Sequence, residues 1–480
     1  MNLQEALHFT PGLQIATPEL IPHLLEDPRL RGKEDSTLTR LAHYKLLEQR
    51  HADQAALPKT VGSNFDFLRA SNIRVIFDFD IEGNIDRAIE IINRTNQLNF
   101  TKLRLPEDPE EARAELRGSF DYSTRAGLLR VVDKYGDYGY CGFYQLHGLG
   151  ERTSFKHLAL SCRLLNMGIE QWLYRYLKRP MIKVNGDVLS DIFDENIPAN
   201  WITVQTTAGI ATPTKPLDFQ RFTIRGGCDL EVLTHYLNFH VKTIVGEHNI
   251  LRNRLWVRRD HSHVLRLIND GVTPPMIESL RKFGFLPEDF KSCLWEDNPN
   301  SAVILAFATD CVHYTYRHKE LGFRIPFQIP NVINTLMIKN FLRIDATQPC
   351  EILDQAMKLL PALAKAVREL RQNYICEGII SETDFKENLI RTLKKIPANQ
   401  PVFLIGTSEF IIQKSGAQVR QPDRANLNRW MREIAATSPR AQFIDIHYVI
   451  QDINDIHHHG HYDRKVYYQL SQLILKLLTT

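Results

Sequence analysis

From about residue 64 to 180 the spacing of apolar positions changes period several times. Asn72 to Phe79 is an apolar run of strand length, and beyond it Ile85, Ile89 and Ile92 recur at helical spacing behind Asn84, a good capping residue. The stretch LLRVVDKYGDYGYCGFYQL (128–146) predicts two strands around a Tyr-Gly-Asp-Tyr-Gly turn. HLALSCRLLNMGIEQWLYRYL (157–177) predicts a strand, a loop and an amphipathic helix. Together these segments describe an α+β module over 61–195. Pro180, Pro198, Pro213 and Pro216 mark a boundary at 181–220.

From 220 to 480 the pattern is more regular. QRFTIRGGCDLEVLTHYL predicts a strand, a Gly-Gly turn and a helix; SAVILAFATD, QPVFLIGTSEF and AQFIDIHYVI predict buried strands; ANLNRWMREIA and VYYQLSQLILKLL predict helices. Apolar strands alternating with amphipathic helices predict a parallel α/β sheet, with ligands at the carboxyl ends of its strands. The first 60 residues, with Leu38, Leu41, Leu46 and Leu47 in a rough stripe, predict a helical adaptor. The expected fold class is therefore α/β and α+β in a multidomain chain.

The chain's 480 residues exceed one ordinary core, in keeping with several domains. Lys+Arg 59 against Asp+Glu 56 leaves a net charge of +3 without a long basic run, which argues against a nucleic-acid partner. The amino-terminal residues lack the basic-then-apolar pattern of a secretory signal, and apolar runs such as Ala302–Ala308 fall short of the ~20 residues a membrane span needs. A cytoplasmic protein is expected. Seven scattered cysteines without a Cys-x-x-Cys pair disfavour both a disulfide framework and structural zinc.

VIFDFDIEGN (75–84) imitates a phosphatase with an aspartate nucleophile, Asp78 attacking and Asp80 donating a proton. Glu82 stands where that motif carries Thr or Val, and no acidic magnesium pair follows at a suitable strand end. The stretch is read instead as the polar end of a strand.

Three later segments carry a family likeness. Arg94, Thr95, Asn96, Gln97 and Asn99 are followed by Asp133, Gly136, Asp137, Tyr138 and Gly139, then by Ser161, Cys162, Arg163, Gly168 and Glu170. In this order they resemble the carboxyl-terminal region of FkbH-like proteins, with Tyr135 in place of the usual Phe. The resemblance implies a GNAT-type acyltransferase-like module over 61–195 without the family's haloacid-dehalogenase-like half. It also implies an acyl-carrier protein as partner, and Arg94–Gln97, Asn99, Asp137, Tyr138, Cys162 and Arg163 as substrate or acyl contacts.

The second half resembles the SGNH hydrolase superfamily, whose first block is a strand, Gly-Asp-Ser and a helix. Here TIRGGCDLEVL puts Cys228 at the serine position and Gly227 at the aspartate; QDINDIHHHGHYDRKVYYQL supplies Asp455, His458 and His461 for the later Asp and His. Asp310, in FATDCVHY, falls where that superfamily has an oxyanion-hole Asn. The likeness implies an SGNH-like, flavodoxin-like module over 220–480, with Cys228 as nucleophile, His461 or His458 as base, and Asp455 orienting it. A helix amino terminus is expected to lower the thiol's pKa.

The run His457, His458, His459 and His461 fits no metalloenzyme spacing, and no metal is expected. The reading as a whole is an acyltransferase in natural-product or cell-surface carbohydrate biosynthesis, with no tightly bound cofactor. Its donor would be acyl-CoA or a phosphopantetheinyl acyl-carrier protein, its acceptor a small molecule or sugar. Rival readings are a carrier-protein-docking scaffold with degenerate sites and an SGNH-type esterase or deacylase.

Overall fold

Arg74–Asp78 forms β1, the strand that opens the first sheet in a computed structural model of the chain. The structure describes residues 21–27, 38–56, 63–206, 219–329, 343–412, 417–457 and 461–479. They divide into two units, Met1–Phe67 and Leu68–Thr480. In the first, the helix Thr39–Ala55 is the main described element, and Leu38 and Leu41 of the anticipated stripe are exposed.

In the second unit, β1 joins β2 (Arg125–Val132), β3 (Asp137–His147), β4 (Ser154–Leu160) and β5 (Thr203–Thr206) in the order β4-β3-β2-β1-β5. The β1–β2, β2–β3 and β3–β4 pairings are antiparallel, while β5 runs parallel to β1. The sheet thus extends beyond residue 195. The helices Ile85–Arg94 and Pro109–Gly118 bury Ile85, Ala88, Ile92 and Leu116 against Leu128 and Phe143. Asn84 stands at the first helix's amino end, but its side chain donates backwards to the Asp80 carbonyl at 2.9 Å.

The second sheet is wholly parallel and contains β6 (Arg221–Gly226), β7 (Thr243–His248), β10 (Ser301–Ala306), β14 (Val402–Ile405) and β17 (Ala441–Ile444). Their order is β17-β14-β10-β6-β7. Val303, Leu305, Val402 and Leu404 are buried with Leu427 and Met431 in one core. Between the long strands lie two hairpin-like pairs, β8 (Ile250–Arg252) with β9 (Leu255–Val257) and β15 (Phe410–Ile412) with β16 (Gln418–Arg420). A small antiparallel sheet comprises β11 (Tyr314–His318), β12 (Arg324–Phe327) and β13 (Tyr374–Gly378). Among the described residues no helix is long and apolar enough to cross a membrane.

The two sheets meet along an aromatic seam. Phe77 of β1 and Phe79 just beyond it meet Phe239 in tilted and edge-on contacts at 4.6 and 4.9 Å between centroids, and Tyr144 Oη lies 2.9 Å from His235 Nε2. Arg464 adds a polar bolt. Fully buried at the start of the helix Arg464–Leu477, it donates to the Phe79 carbonyl at 3.2 Å, pairs with Glu82 and lies over the Phe120 ring. The phosphatase-like stretch is therefore an attachment point. Asp78 accepts from Tyr140 Oη, and Asp80 closes the following turn by accepting from the Gly83 N–H at 2.9 Å.

Replacing Arg464 with Met should lower stability by about 2–3 kcal/mol, below the ~3–5 of a fully buried pair because Glu82 is partly exposed. The urea midpoint measures this. A second expectation concerns pH. Burial lowers His157, His240 and His263 to about 4 each and holds His235 and His261 well below the usual histidine range. Below pH ~6.5 the unfolded chain takes up protons that the folded chain refuses. Stability should be fully present above pH ~6.5 and fall steadily towards pH 4, seen as a falling urea midpoint.

Candidate active site between the two sheets

In the strand order β17-β14-β10-β6-β7, β6 is the first strand in sequence, and its neighbours β7 and β10 lie on opposite sides of it. The chain reverses its winding there, and in such sheets the crevice opens beyond the carboxyl ends of the central strands. A cavity of about 1180 Å³ occupies this position. Its floor includes Cys228 after β6, Thr309 after β10 and Thr407 after β14. The facing wall includes Tyr122 and the Gly148–Arg152 loop of the first sheet, and Trp256 and Arg258 close one side beside β9.

The Gly226-Gly227 pair leaves room for the side chains that fold back over the turn. A Cβ on Gly226 would meet Leu230 Cδ1 at 2.3 Å, and one on Gly227 would meet Asp229 Oδ1 at 2.2 Å. The chain thereby turns straight from β6 into the helix Leu230–Leu237, leaving the Cys228 side chain at the cavity surface. The thiol is not acidic there. Burial first, then the neighbouring Asp229 charge, pushes it up to about 12, against the lowering expected from the helix terminus. Arg258 works in the opposite direction but does not outweigh them.

His461 lines the same cavity. Its ring stacks on Tyr122 at 4.3 Å between centroids and 14° between planes, so the first sheet fixes the imidazole of the second. Its backbone is held by the His457 N–H, 2.7 Å from the His461 carbonyl. Burial lowers its pKa, and the strongest opposing influence is the Asp229 carboxylate. Asp229 is itself held by Tyr467 Oη at 2.5 Å.

Asp455, expected to orient the base, has other work. Its Oδ1 pairs with Lys465 Nζ at 2.7 Å and its Oδ2 accepts from the Asp452 N–H at 3.3 Å in a capping box. One oxygen is held by Lys465 of the last helix and the other by the loop before it, and the carboxylate acting most on His461 is that of Asp229. His458 lies outside the described residues. His457 has Asp463 3.9 Å away, and among the described residues no group of three or more His, Cys, Asp or Glu is placed to hold a metal ion.

Asp310, expected at the oxyanion-hole position, does not line the cavity. It is fully buried behind the cavity, accepting from the Ser262 N–H at 3.0 Å and from the Ser262 hydroxyl, with burial raising its pKa well above the usual range. It secures the start of the helix Ser262–Asp270. Its neighbour Thr309 reaches the cavity instead.

The residues of the three family-like segments lie away from the cavity and serve mainly to fix loops. Arg94 pairs with Glu90, Thr95 ends the helix, and Asn96 Oδ1 accepts from Arg104 at 2.5 Å. The Gln97 carbonyl accepts from the Leu189 N–H at 3.0 Å, while buried Asn99 bridges the Ile92 carbonyl and the Lys102 N–H at 3.1 and 2.8 Å. Asp137 pairs with Arg130 across the hairpin, Tyr138 Oη donates to Asp133 at 2.8 Å, and Arg163 donates to the Tyr138 carbonyl at 3.3 Å. Cys162 is exposed.

Several cavity residues were not singled out from the sequence: Tyr122, Asp229, His248, Arg258, Asp260 and Tyr467. Asp229 could have been found from its place beside Cys228. His248 ends β7 level with Gly226 in the parallel register, but β7 has no alternating pattern to announce it.

Alkylation of Cys228 by iodoacetamide should be slow at pH 7–8 and still be accelerating at pH 10, whereas an ordinary thiol of pKa ~8.5 levels off near pH 9.5. Intact-mass labelling against a Cys228→Ala background reads this directly. No known family model matches the chain and no curated protein matches it in sequence, so the cavity's chemistry is argued from its own residues.

Proposed function

We propose that the protein is an acyltransferase in which Cys228 takes an acyl group from a thioester donor, a carrier protein or CoA, and passes it to a hydroxyl-bearing acceptor. The observation that carries this reading is the shared placement of Cys228 and His461 on one large cavity at the carboxyl ends of a parallel sheet. At about 1180 Å³ the cavity exceeds the ~300–1,000 Å³ usual for one small ligand, leaving room for a pantetheine arm and an acceptor together.

The two shifts bear on the form in which the pair would react. With the Cys228 thiol raised to about 12 and the His461 pKa lowered, both groups are neutral and no standing thiolate attacks. Cys228 Sγ attacks the donor carbonyl as its proton passes to His461; the bond to the donor sulfur breaks, and that sulfur leaves with the proton from His461. The acceptor oxygen then attacks the Cys228 thioester, giving its proton to His461 and releasing the cysteine, which recovers it. Asp229 stabilises the transient imidazolium, and Tyr122 holds the ring in place.

The likeness to SGNH enzymes is supported by the strand order and by a cysteine turn and a histidine before the helix Arg464–Leu477 that line the same cavity. The GNAT-like reading of the first module is supported by antiparallel β1 to β4 with two helices after β1. Since its motif residues fix loops, this module is read as building the cavity wall. One observation favours a second reading, a non-catalytic carrier-protein scaffold: a thiol as weakly acidic as Cys228 is also what a disused site would hold.

Acyl-CoA and acylated carrier protein should each be tested as donors by intact mass. We expect an acyl adduct that disappears in Cys228→Ala and forms ~10²–10⁴-fold more slowly in His461→Asn, the usual worth of a general base. The rate should be level from pH ~6.5 to 9 and fall below ~6.5 as His461 takes up a proton. Carrier-protein binding with no adduct from any donor would support the scaffold.

A further inference from the structure

Attack on a thioester puts negative charge on the donor's carbonyl oxygen, and Asp310, expected to face that oxygen, lies behind the cavity holding Ser262. A transition state of this kind needs a fixed donor in place of bulk water. The wall beside β9 holds one that the reaction as drawn does not use. Arg258 lines the cavity together with Cys228 and His461 and is partly exposed. Its Nη2 donates to Gln328, and its Nε is sealed without a partner. Its Nη1 has no hydrogen-bond partner among the described residues and is not sealed.

The neighbouring arginines are placed differently. Arg252 and Arg259, on the same cavity, both pair with Asp289, and Arg225 pairs with Glu247. Among the described residues no carboxylate lies within ion-pairing distance of Arg258, whose hydrogen-bond partner is a neutral amide. Such a guanidinium is incomplete, because a charge drawn out of water is stable only when it is paired. Its Cζ stands 5.2 Å from the centroid of the Trp256 ring, and this shelf and Gln328 together fix its place. Burial lowers its pKa and the charges of Asp260 and Asp229 raise it, but an arginine keeps its proton in either case. After burial and the Asp229 charge, Arg258 is the next influence on the Cys228 thiol and on the His461 imidazole alike, so its field reaches both members of the reacting pair.

We propose that Arg258 is a catalytic residue of the acyltransfer, its Nη1 N–H donating to the thioester carbonyl oxygen as Cys228 Sγ adds to the carbonyl carbon. The carbonyl π pair moves onto that oxygen, the guanidinium holds the anion, and the pair returns as the donor sulfur leaves with the proton from His461. The same contact serves the second step, in which the acceptor oxygen adds and the cysteine sulfur leaves. This role deepens the acyltransfer reading and rests on it.

The test compares two reactions of one thiol on the full chain. Intact mass follows single-turnover acylation of Cys228 by acetyl-, butyryl- and octanoyl-CoA and by the same acyl groups on carrier protein, beside alkylation by iodoacetamide, which builds no oxyanion. In Arg258→Gln acylation should slow ~10²–10³-fold, the usual worth of one such donor. Alkylation should slow roughly tenfold at most, the effect of one pKa unit on the thiol. Arg258→Lys, which keeps the charge without the planar fork, should lose less but still lose more in acylation than in alkylation. If Arg258→Gln misfolds, seen as a lower urea midpoint with faster alkylation, Arg258→Lys carries the comparison. Equal losses in the two reactions, or unchanged acylation, would overturn the role and leave the acyltransfer reading standing. A defect confined to the half-saturating concentration of a carboxylated donor such as succinyl-CoA would overturn it as well, by making Arg258 a specificity contact. If the unaltered protein forms no adduct with any of these donors, the acyltransfer reading fails and this role falls with it.

Discussion

Burial of the aromatic seam between the two sheets is the constraint on which the candidate site depends. Phe77, Phe79 and Tyr144 on one side and His235, Tyr236 and Phe239, on and just after the helix Leu230–Leu237, on the other are costly to leave in water, so these rings pack in tilted and edge-on contacts across the junction. That packing brings the Gly148–Arg152 loop over the Cys228 turn, and the Gly150 N–H donates to Glu231 Oε2 at 2.6 Å across the junction. Without the seam, the crevice at the end of β6 would be an open groove, and His461 would have no ring to stack on.

Buried charge reinforces the same arrangement. A guanidinium excluded from water needs several partners at once, and Arg464 finds them only when the turn after β1, the Phe120 ring and its own helix are all in place. Arg225 and Glu247 form a comparable buried pair between β6 and β7, with Glu247 also receiving Ser292 Oγ. Such pairs contribute little net stability compared with apolar substitutes, but they penalise mispacking heavily. They specify one relative placement of the elements around the cavity.

Much of the architecture was legible in the sequence because the periodicities are strong. The hairpin at 128–146, the strand, Gly-Gly turn and helix around Cys228, and the helix Arg464–Leu477 all form where their patterns put them. β7 and the short strands β8, β9 and β11 to β13 were not legible, since half-exposed or very short strands carry little alternation. The site was legible only in part. The SGNH-like pattern pointed to Cys228 and to His461 or His458, and Cys228 and His461 line one cavity, but it could not reveal that Asp455 pairs with Lys465, or that Asp310 turns into the core towards Ser262. Nor could local sequence show that Tyr122, over three hundred residues before His461, would be its stacking partner. The thiol's acidity was misjudged because a short helix's dipole is a local term, while desolvation and the Asp229 charge depend on everything packed around Cys228.

The stacking of His461 on Tyr122 bears on the order in which the molecule is made. Cys228 leaves the ribosome 233 residues ahead of His461, an interval of roughly 10 to 50 seconds at ~5–20 residues per second. Throughout that time Tyr122 and the cysteine turn already exist, but the imidazole and the Arg464 anchor do not. The lining of the cavity is therefore completed only once synthesis has passed His461 and the helix Arg464–Leu477.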